Sequence, residues 1–184
     1  MTDLGLQVRV AAPEDEAALL AVVEQAGVAA GLLRDPRADG RAYLHPDPAC
    51  GQGPVFVATR DGLLVGGGRL EAGGISYFVA PSFQGQGLGA VIAGRILLAY
   101  ARYPAGGNPP QLVVRRENTA SVRVAERLGF CFKGLAGRSP ATLRYVYPPT
   151  SWAGFVERAA QEPSARAATS TATPRGTQSC PATR

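Results

Sequence analysis

Gln84-Gly85-Gln86-Gly87-Leu88-Gly89 decides how this chain is read. Before it runs Gly74-Ile75-Ser76-Tyr77-Phe78-Val79-Ala80, a strand pattern that ends at Pro81. After it, Val91, Ile92, Ile96, Ala99 and Tyr100 recur at helical spacing between Leu88 and Tyr103. In the order strand, glycines, helix, the glycines let the backbone come close to a ligand, and free N–H groups at the helix start point at an anion. A pyrophosphate is the natural guest. Gly66-Gly67-Gly68 and Gly73-Gly74 have no helix behind them, so an ordinary glycine turn competes with this explanation.

Two phosphate-binding patterns fail on spacing. No glycine is followed by Lys-Ser or Lys-Thr, which excludes the Walker loop of nucleotide triphosphatases. Gly85-x-Gly87-x-x-Ala90 fits a dinucleotide fingerprint, but that pattern wants an acid about 20 residues on. The next acid is Glu117, which is too far.

Toward the N-terminus, Val55 to Thr59 and Leu63 to Glu71 flank Arg60-Asp61-Gly62, a hairpin signal. Leu6-Gln7-Val8-Arg9-Val10 alternates as a half-buried strand, and Pro13 opens a helix to about Ala26 whose acidic first turn suits the helix dipole. Residues 31–54 break into Asp35-Pro36, Asp39-Gly40, His45-Pro46-Asp47-Pro48 and Gly51-Gln52-Gly53, leaving room for only a short helix. A connection this long is functional or mobile as a rule.

Toward the C-terminus, Gln111 to Arg115 is a strand, Asn118 N-caps a helix from Thr119 to Leu128, and Gly129 suits the left-handed position after it. Phe130 to Lys133 and Leu143 to Tyr147 are short strands, and Trp152 to Ala160 is a last helix. The order β-α-β-β-β-α-β-α-β-β gives a mixed α/β domain on one sheet over residues 1–160. Residues 161–184, mostly Pro, Ser, Thr, Ala and Arg without apolar periodicity, are expected to be a disordered tail.

A chain of 184 residues suits one domain with a tail. Apolar residues at 46% and charged residues at 18% match the globular norm and exclude a wholly disordered protein. The formal net charge is +5, and the tail holds Arg166, Arg175 and Arg184 against Glu162, so the folded part is mildly basic. That suits a small anionic ligand and lacks the clustered basic stripe of a nucleic-acid binder. The longest apolar run, Ala17 to Val23, is too short for a bilayer, and MTDLGLQVRV lacks the features of a signal peptide. A cytoplasmic protein without a membrane partner is expected. Cys50, Cys131 and Cys180 contain no C-x-x-C, and His45 is the single histidine, which argues against disulfides, metal sites and a catalytic triad.

Gln84-x-x-Gly87-x-Gly89 resembles the Q/R-x-x-G-x-G/A coenzyme A loop of the GNAT superfamily of N-acetyltransferases. Glu117-Asn118-Thr119-Ala120-Ser121-Val122-Arg123-Val124-Ala125-Glu126-Arg127-Leu128-Gly129-Phe130 resembles its second motif, N-x-x-S-x-R-V-x-E-K-L-G-F, in the correct order. The wording is similar to the branch with the ribosomal-protein N-terminal acetyltransferases, whose I-G-Y-W-L segment Ile75-Ser76-Tyr77-Phe78-Val79 resembles. The likeness covers most of residues 55–147.

The resemblance implies a GNAT-like single domain: a central, mostly antiparallel twisted sheet flanked by helices, with a V-shaped acyl-CoA cleft between the fourth and fifth strands. It implies acetyl-CoA as co-substrate, with backbone near Phe78 and Val79 on the pantetheine arm. Gln84, Gly85, Gln86, Gly87, Leu88 and Gly89 would hold the pyrophosphate, and Asn118 and Ser121 would touch the pantetheine or adenylate side. Dimers occur in the family; no residue pattern here supports one.

The implied reaction is direct attack of an amine, on a small molecule or a peptide, at the thioester, with no covalent enzyme intermediate. A backbone N–H such as that of Val79 would hold the oxyanion, a donor usually worth roughly 3–4 kcal/mol. Many relatives carry an acidic tyrosine seven residues past the asparagine, where this chain has Ala125; two positions where relatives carry a base are Gly74 and Val113. A thiol of pKa about 8.5 can leave with little help, so the missing acid is tolerable.

The remaining catalytic candidates are Glu71 and Glu117, acting through water, and Tyr77. Alternation puts Tyr77 on one face with Ile75 and Val79, either in the core or as a cleft hydroxyl. His45 is a further candidate base from the loop, beside Arg34, Asp35, Arg37, Asp39 and Tyr43 as substrate contacts, with the segment from Gly134 to Thr142 on the other flank. Without a strong base, an amine of pKa about 10.4 is roughly 0.1% neutral near pH 7.5, whereas one near 7.8 is about a third neutral. A low-pKa amine is therefore expected. The competing class is a non-catalytic acyl-CoA-binding regulator of the same fold.

Overall fold

Apolar residues in the strands sort onto two faces, and different helices cover each. The computed structural model describes residues 5–25, 27–28, 32, 41–46, 48–50, 52–103, 108–137 and 140–161. Its strands are β1 (Leu6–Val10), β2 (Val55–Arg60), β3 (Leu63–Glu71), β4 (Gly74–Val79), β5 (Gln111–Arg115), β6 (Cys131–Leu135) and β7 (Thr142–Val146). Its helices are α1 (Glu16–Val23), the single turn α2 (Arg41–Leu44), α3 (Leu88–Arg102), α4 (Thr119–Arg127) and α5 (Pro149–Gln161).

On one face Phe56, Ala58, Val65, Ile75, Leu112, Val114 and Tyr145 pack with α3, α4 and α5 through Ile92, Ile96, Ala125 and Trp152. On the other, Val55, Val57 and Phe78 pack with Leu19 and Val23 of α1 and Tyr43 of α2. At ~25 cal/mol per Å², these buried apolar side chains are the main favourable term in folding.

The strands form one sheet in the order β1-β2-β3-β4-β5-β7-β6. Every neighbouring pair is antiparallel except β4 and β5, which run parallel and meet at one register position, Gly74 against Gln111. A Cβ on Gly74 would strike the Gln111 carbonyl, so glycine permits that contact. Beyond it the two strands diverge, as a V-shaped cleft requires.

Gly66-Gly67-Gly68, which has no helix directly behind it in sequence, has one in space. Cβ atoms on Gly66 and Gly68 would fall 2.8 Å from Ile92 Cδ1 and 2.6 Å from Ile96 Cδ1, while one on Gly67 would fall 3.1 Å from the Phe78 ring. Gly66 and Gly68 let α3 lie close to β3, which positions the start of α3 against the end of β4.

Several boundaries differ from the sequence expectation. The first helix starts as a 3-10 turn over Pro13–Asp15 and ends at Val23, short of Ala26. Asp15 accepts the Ala12 N–H at 2.7 Å and the Arg9 guanidinium, which tightens that opening turn. The last helix starts at Pro149, whose fixed φ and missing N–H suit a first helical turn, and extends to Gln161, which the expectation had put in the tail. Arg102 closes α3 by donating to the Ala159 carbonyl near the C-terminal end of α5. Expectations for residues 162–184, and for Arg34, Asp35, Arg37 and Asp39, lie outside the described residues.

Candidate active site

Ladder parity decides what faces the opening between β4 and β5. The Ala80 N–H donates to the Val65 carbonyl, so Phe78 and Ser76, in phase with Ala80, turn their backbone polar groups toward β3. Tyr77 and Val79 turn theirs toward the splay. The backbone edge therefore belongs to Tyr77 and Val79, which corrects the pairing of Phe78 with Val79 on that edge. Phe78 instead buries its ring on the α1 and α2 face, 6.2 Å from the Tyr43 ring in an edge-on contact.

At the mouth of the splay, Pro81–Phe83 make a 3-10 turn and Gln84 is extended. Gly85 and Gly87 then adopt φ of 77° and 76°, with no other atoms within 4 Å of where a Cβ would stand. Gly87 is the N-cap of α3 and has no side chain to cap it, so the first N–H groups of a 15-residue helix stay available to an anion. Leu88 anchors the turn in the core, and a Cβ on Gly89 would meet Tyr77, Val79 and Val124 at ordinary contact distances. Gln84 donates to the Val79 carbonyl at 3.2 Å, folding its side chain back onto β4. Gln86 accepts from Arg60 at 3.1 Å.

Across the opening, Asn118 Oδ1 accepts the Ser121 N–H at 3.0 Å and caps α4. Tyr77 reaches the same turn, its Oη donating to Ser121 Oγ at 3.1 Å. Burial pushes the Tyr77 phenol up from its ordinary range, and the bond to Ser121 offsets part of that rise, so the hydroxyl stays protonated near neutrality. Ala125, at the position of the family's tyrosine, is fully buried in the core.

Glu71 is not a solvated strand-end charge. Arg69, 4% exposed, clamps it with Nε to Oε1 at 2.7 Å and Nη2 to Oε2 at 3.0 Å. Ser76 Oγ donates to Glu71 Oε1 at 3.0 Å, and Tyr43 Oη lies 3.0 Å from Ser76 Oγ. Since Ser76 gives its proton to the carboxylate, Tyr43 is the donor in that second bond. Arg69 also donates to the Tyr43 carbonyl at 3.1 Å and lies 4.5 Å over its ring. Tyr43 is thus a buried anchor of the long connection and not a substrate contact. Spacing in the sequence hinted at this, because Arg69 and Glu71 share a strand face; the roles of Ser76 and Tyr43 had no local signal.

His45 Nε2 lies 3.5 Å from Glu16 Oε1 with both side chains largely exposed, a surface pair at the start of α1. Val113 is exposed on β5, opposite Arg144 of β7. Glu117 is exposed just before the cap of α4. Among the described residues no group of three His, Cys, Asp or Glu side chains could hold a metal ion, and no helix is long and apolar enough to cross a membrane.

Residues 27–130 match the family model of the acetyltransferase (GNAT) family. The chain belongs to this family. It is accordingly an acyl-CoA-dependent N-acyltransferase by family, with the loop and splay described above inside or beside the matched segment. No curated protein sequence matches this acetyltransferase. Among solved structures, it is similar to yncA from Salmonella typhimurium with its cofactor acetyl-CoA, at 21% identity, 77% of this chain, 92% of that one and a TM-score of 0.61. Spermidine N-acetyltransferase from Vibrio cholerae, with CoA and spermine, matches at 18% identity over 81% and 98% of the two chains, TM-score 0.64. AAC(6')-Ib with paromomycin and acetyl-CoA matches at 17% identity over 81% and 96%, TM-score 0.65. At these identities the likeness is one of fold.

Proposed function

We propose that this acetyltransferase moves an acetyl group from acetyl-CoA to a primary amine of a small molecule or to an N-terminal α-amine, by direct attack. The carrying observation is the splay itself: a strand edge formed by Tyr77 and Val79 opens beside an uncapped helix N-terminus. Pantetheine amides pair with that edge, as a strand adds to a sheet, and the diphosphate sits on the first turn of α3. Asn118 and Ser121 line the opposite wall.

In the reaction, the neutral amine nitrogen bonds to the thioester carbon, and the carbonyl oxygen takes the negative charge against the Val79 N–H. The nitrogen then loses its proton to water, the oxyanion re-forms its double bond, and the C–S bond breaks. Tyr77 Oη, kept protonated by burial, gives its proton to the departing thiolate and regains one from solvent. Glu71 has both carboxylate oxygens engaged, by Arg69 and Ser76, which adds weight to an amine of low pKa as substrate.

Two proteins of similar fold are seen in complex with spermine and with paromomycin, both small-molecule amines. Thermal melting with acetyl-CoA, CoA and NADP⁺, for the wild type and Gly87→Glu, tests the cofactor half of the reading. Stabilisation by acetyl-CoA and by CoA but not by NADP⁺, abolished in the variant, is expected. A free-thiol assay over amines spanning pKa 7 to 10.5 tests the rest, with rates highest for the weaker bases. A preference for free lysine side chains, or binding without any turnover, overturns it.

A further inference from the structure

We propose that Arg60, at the end of β2, is a phosphate ligand for the acyl-CoA, supplied from outside the glycine loop. The inference rests on the acyl-CoA reading above and adds to it a residue that neither motif contains.

The loop and the first turn of α3 hold no basic side chain; counting from Pro81, the first is Arg95. A helix N-terminus offers about half a positive charge. A diphosphate brings about two negative charges, so a cation from another part of the fold is needed for balance.

Arg60 is placed for that task. Phe56 and Ala58 of β2 pack on the α3 face, and Arg60 is in phase with them. The β2–β3 register shifts between Ala58 and Thr59, leaving Val65 as the extra residue of β3. Val65 in turn accepts the Ala80 N–H, at the root of the loop. The hairpin end that carries Arg60 and the loop are therefore braced on each other.

The guanidinium is held yet uncommitted. Its carbon lies 5.5 Å from the Phe83 ring centroid, and Nη2 donates to Gln86 Oε1 at 3.1 Å. Both partners belong to the segment that would cradle the phosphates, and both are neutral. Among the described residues no carboxylate pairs with Arg60. An anionic phosphate oxygen is a stronger acceptor for the guanidinium than the neutral Gln86 amide, and the planar guanidinium retains further donors for it. Stacking on Phe83 pre-orients the group, so little rotamer freedom is lost on binding.

Calorimetric titration of the wild type, Arg60→Gln and Arg60→Lys with CoA and with 3′-dephospho-CoA at low and moderate salt tests this. Arg60→Gln is expected to weaken CoA about tenfold or more and to flatten the salt dependence, while Arg60→Lys keeps most of the affinity. An equal loss with dephospho-CoA assigns the contact to the diphosphate, and a loss seen only with CoA assigns it to the 3′-phosphate; either supports the proposal. Ligand-free melting temperatures within about 2 °C of the wild type, together with an unchanged KM for the amine, separate ligation from a structural role. Wild-type binding with Arg60→Gln within twofold overturns the proposal and leaves the acyl-CoA reading intact. No CoA binding by the wild type overturns both.

Discussion

Tyr77 Oη donates to Ser121 Oγ at 3.1 Å, joining β4 to the first turn of α4 across the opening where the sheet has no ladder between them. It is a polar tie between two walls that the sheet itself does not connect. Tyr77→Phe removes one neutral hydrogen bond, so stability should fall by about 1 kcal/mol. If the hydroxyl serves the thiolate, kcat should fall about tenfold or more while the KM for acetyl-CoA changes little. Steady-state kinetics of this variant beside Ser121→Ala, which keeps the phenol, separates the two effects.

The alkaline range offers a second check on the same side chain. Burial raises the folded-state pKa of Tyr77, and likewise of Tyr100 and Tyr145. Unfolded tyrosines titrate first, so the stability they contribute is fully present below about pH 10 and is lost as pH rises through the folded-state values. Denaturant midpoints should drop above about pH 10, and less steeply in Tyr77→Phe.

Arg69 and Glu71 predict a structural phenotype. Glu71→Gln leaves a nearly buried guanidinium with one neutral partner in place of a carboxylate. Loss of one partner of a buried pair costs about 3–5 kcal/mol; with the Glu71 side chain 31% exposed, about 2 kcal/mol is expected. Chemical unfolding measures it, and faster proteolysis around Tyr43 should accompany it. A fall in kcat with unchanged stability would instead make Glu71 the base.

Gly68→Ala tests the packing of α3 on the sheet. Its Cβ would lie 2.6 Å from Ile96 Cδ1 and also strike the Ser76 carbonyl, so one neighbour must move. Overpacking of this kind costs about 1–3 kcal/mol, read as a lowered melting temperature.

At acid pH the Arg9–Asp15 pair should matter. The hydrogen bond from Arg9, with that from the Ala12 N–H, holds the Asp15 carboxyl below its ordinary value. Stability from a lowered carboxyl is present above the unfolded pKa and is lost as pH falls through the folded one. Asp15→Asn should lose stability at neutral pH, by less than about 1 kcal/mol because Arg9 is exposed, and show a flatter profile below about pH 4.

Much of this architecture was legible locally. The strand over Val55, Phe56, Val57 and Ala58 was legible as a hairpin arm, and the two-residue strand period sets its side chains on alternate faces of the sheet. Gly85 and Gly87 read as loop glycines because only a left-handed backbone needs them there, and Asn118 read as a cap because its oxygen reaches an N–H three residues on. Helix ends were less legible, since Asp15 tightened one and Pro149 opened another. Phe78 was misassigned because strand neighbours look alike in sequence until the ladder phase says whose N–H is free.

From the sequence alone came the seven strands, the glycine loop, the asparagine-capped helix and through them the family, because each depends on residues within one or two turns of each other. Only the tertiary structure decided that Tyr77 meets Ser121, that Arg69 neutralises Glu71, that Tyr43 anchors the long connection and that Arg60 reaches Gln86. Those contacts join residues 44, 2, 26 and 26 positions apart. For all but the Arg69–Glu71 pair, sheet register, the bulge in β3 and the divergence of β4 from β5 set the partners, and none of these is a local property of the chain; for that pair, the strand brings the side chains to one face, and burial under Tyr43 makes it a closed ion pair.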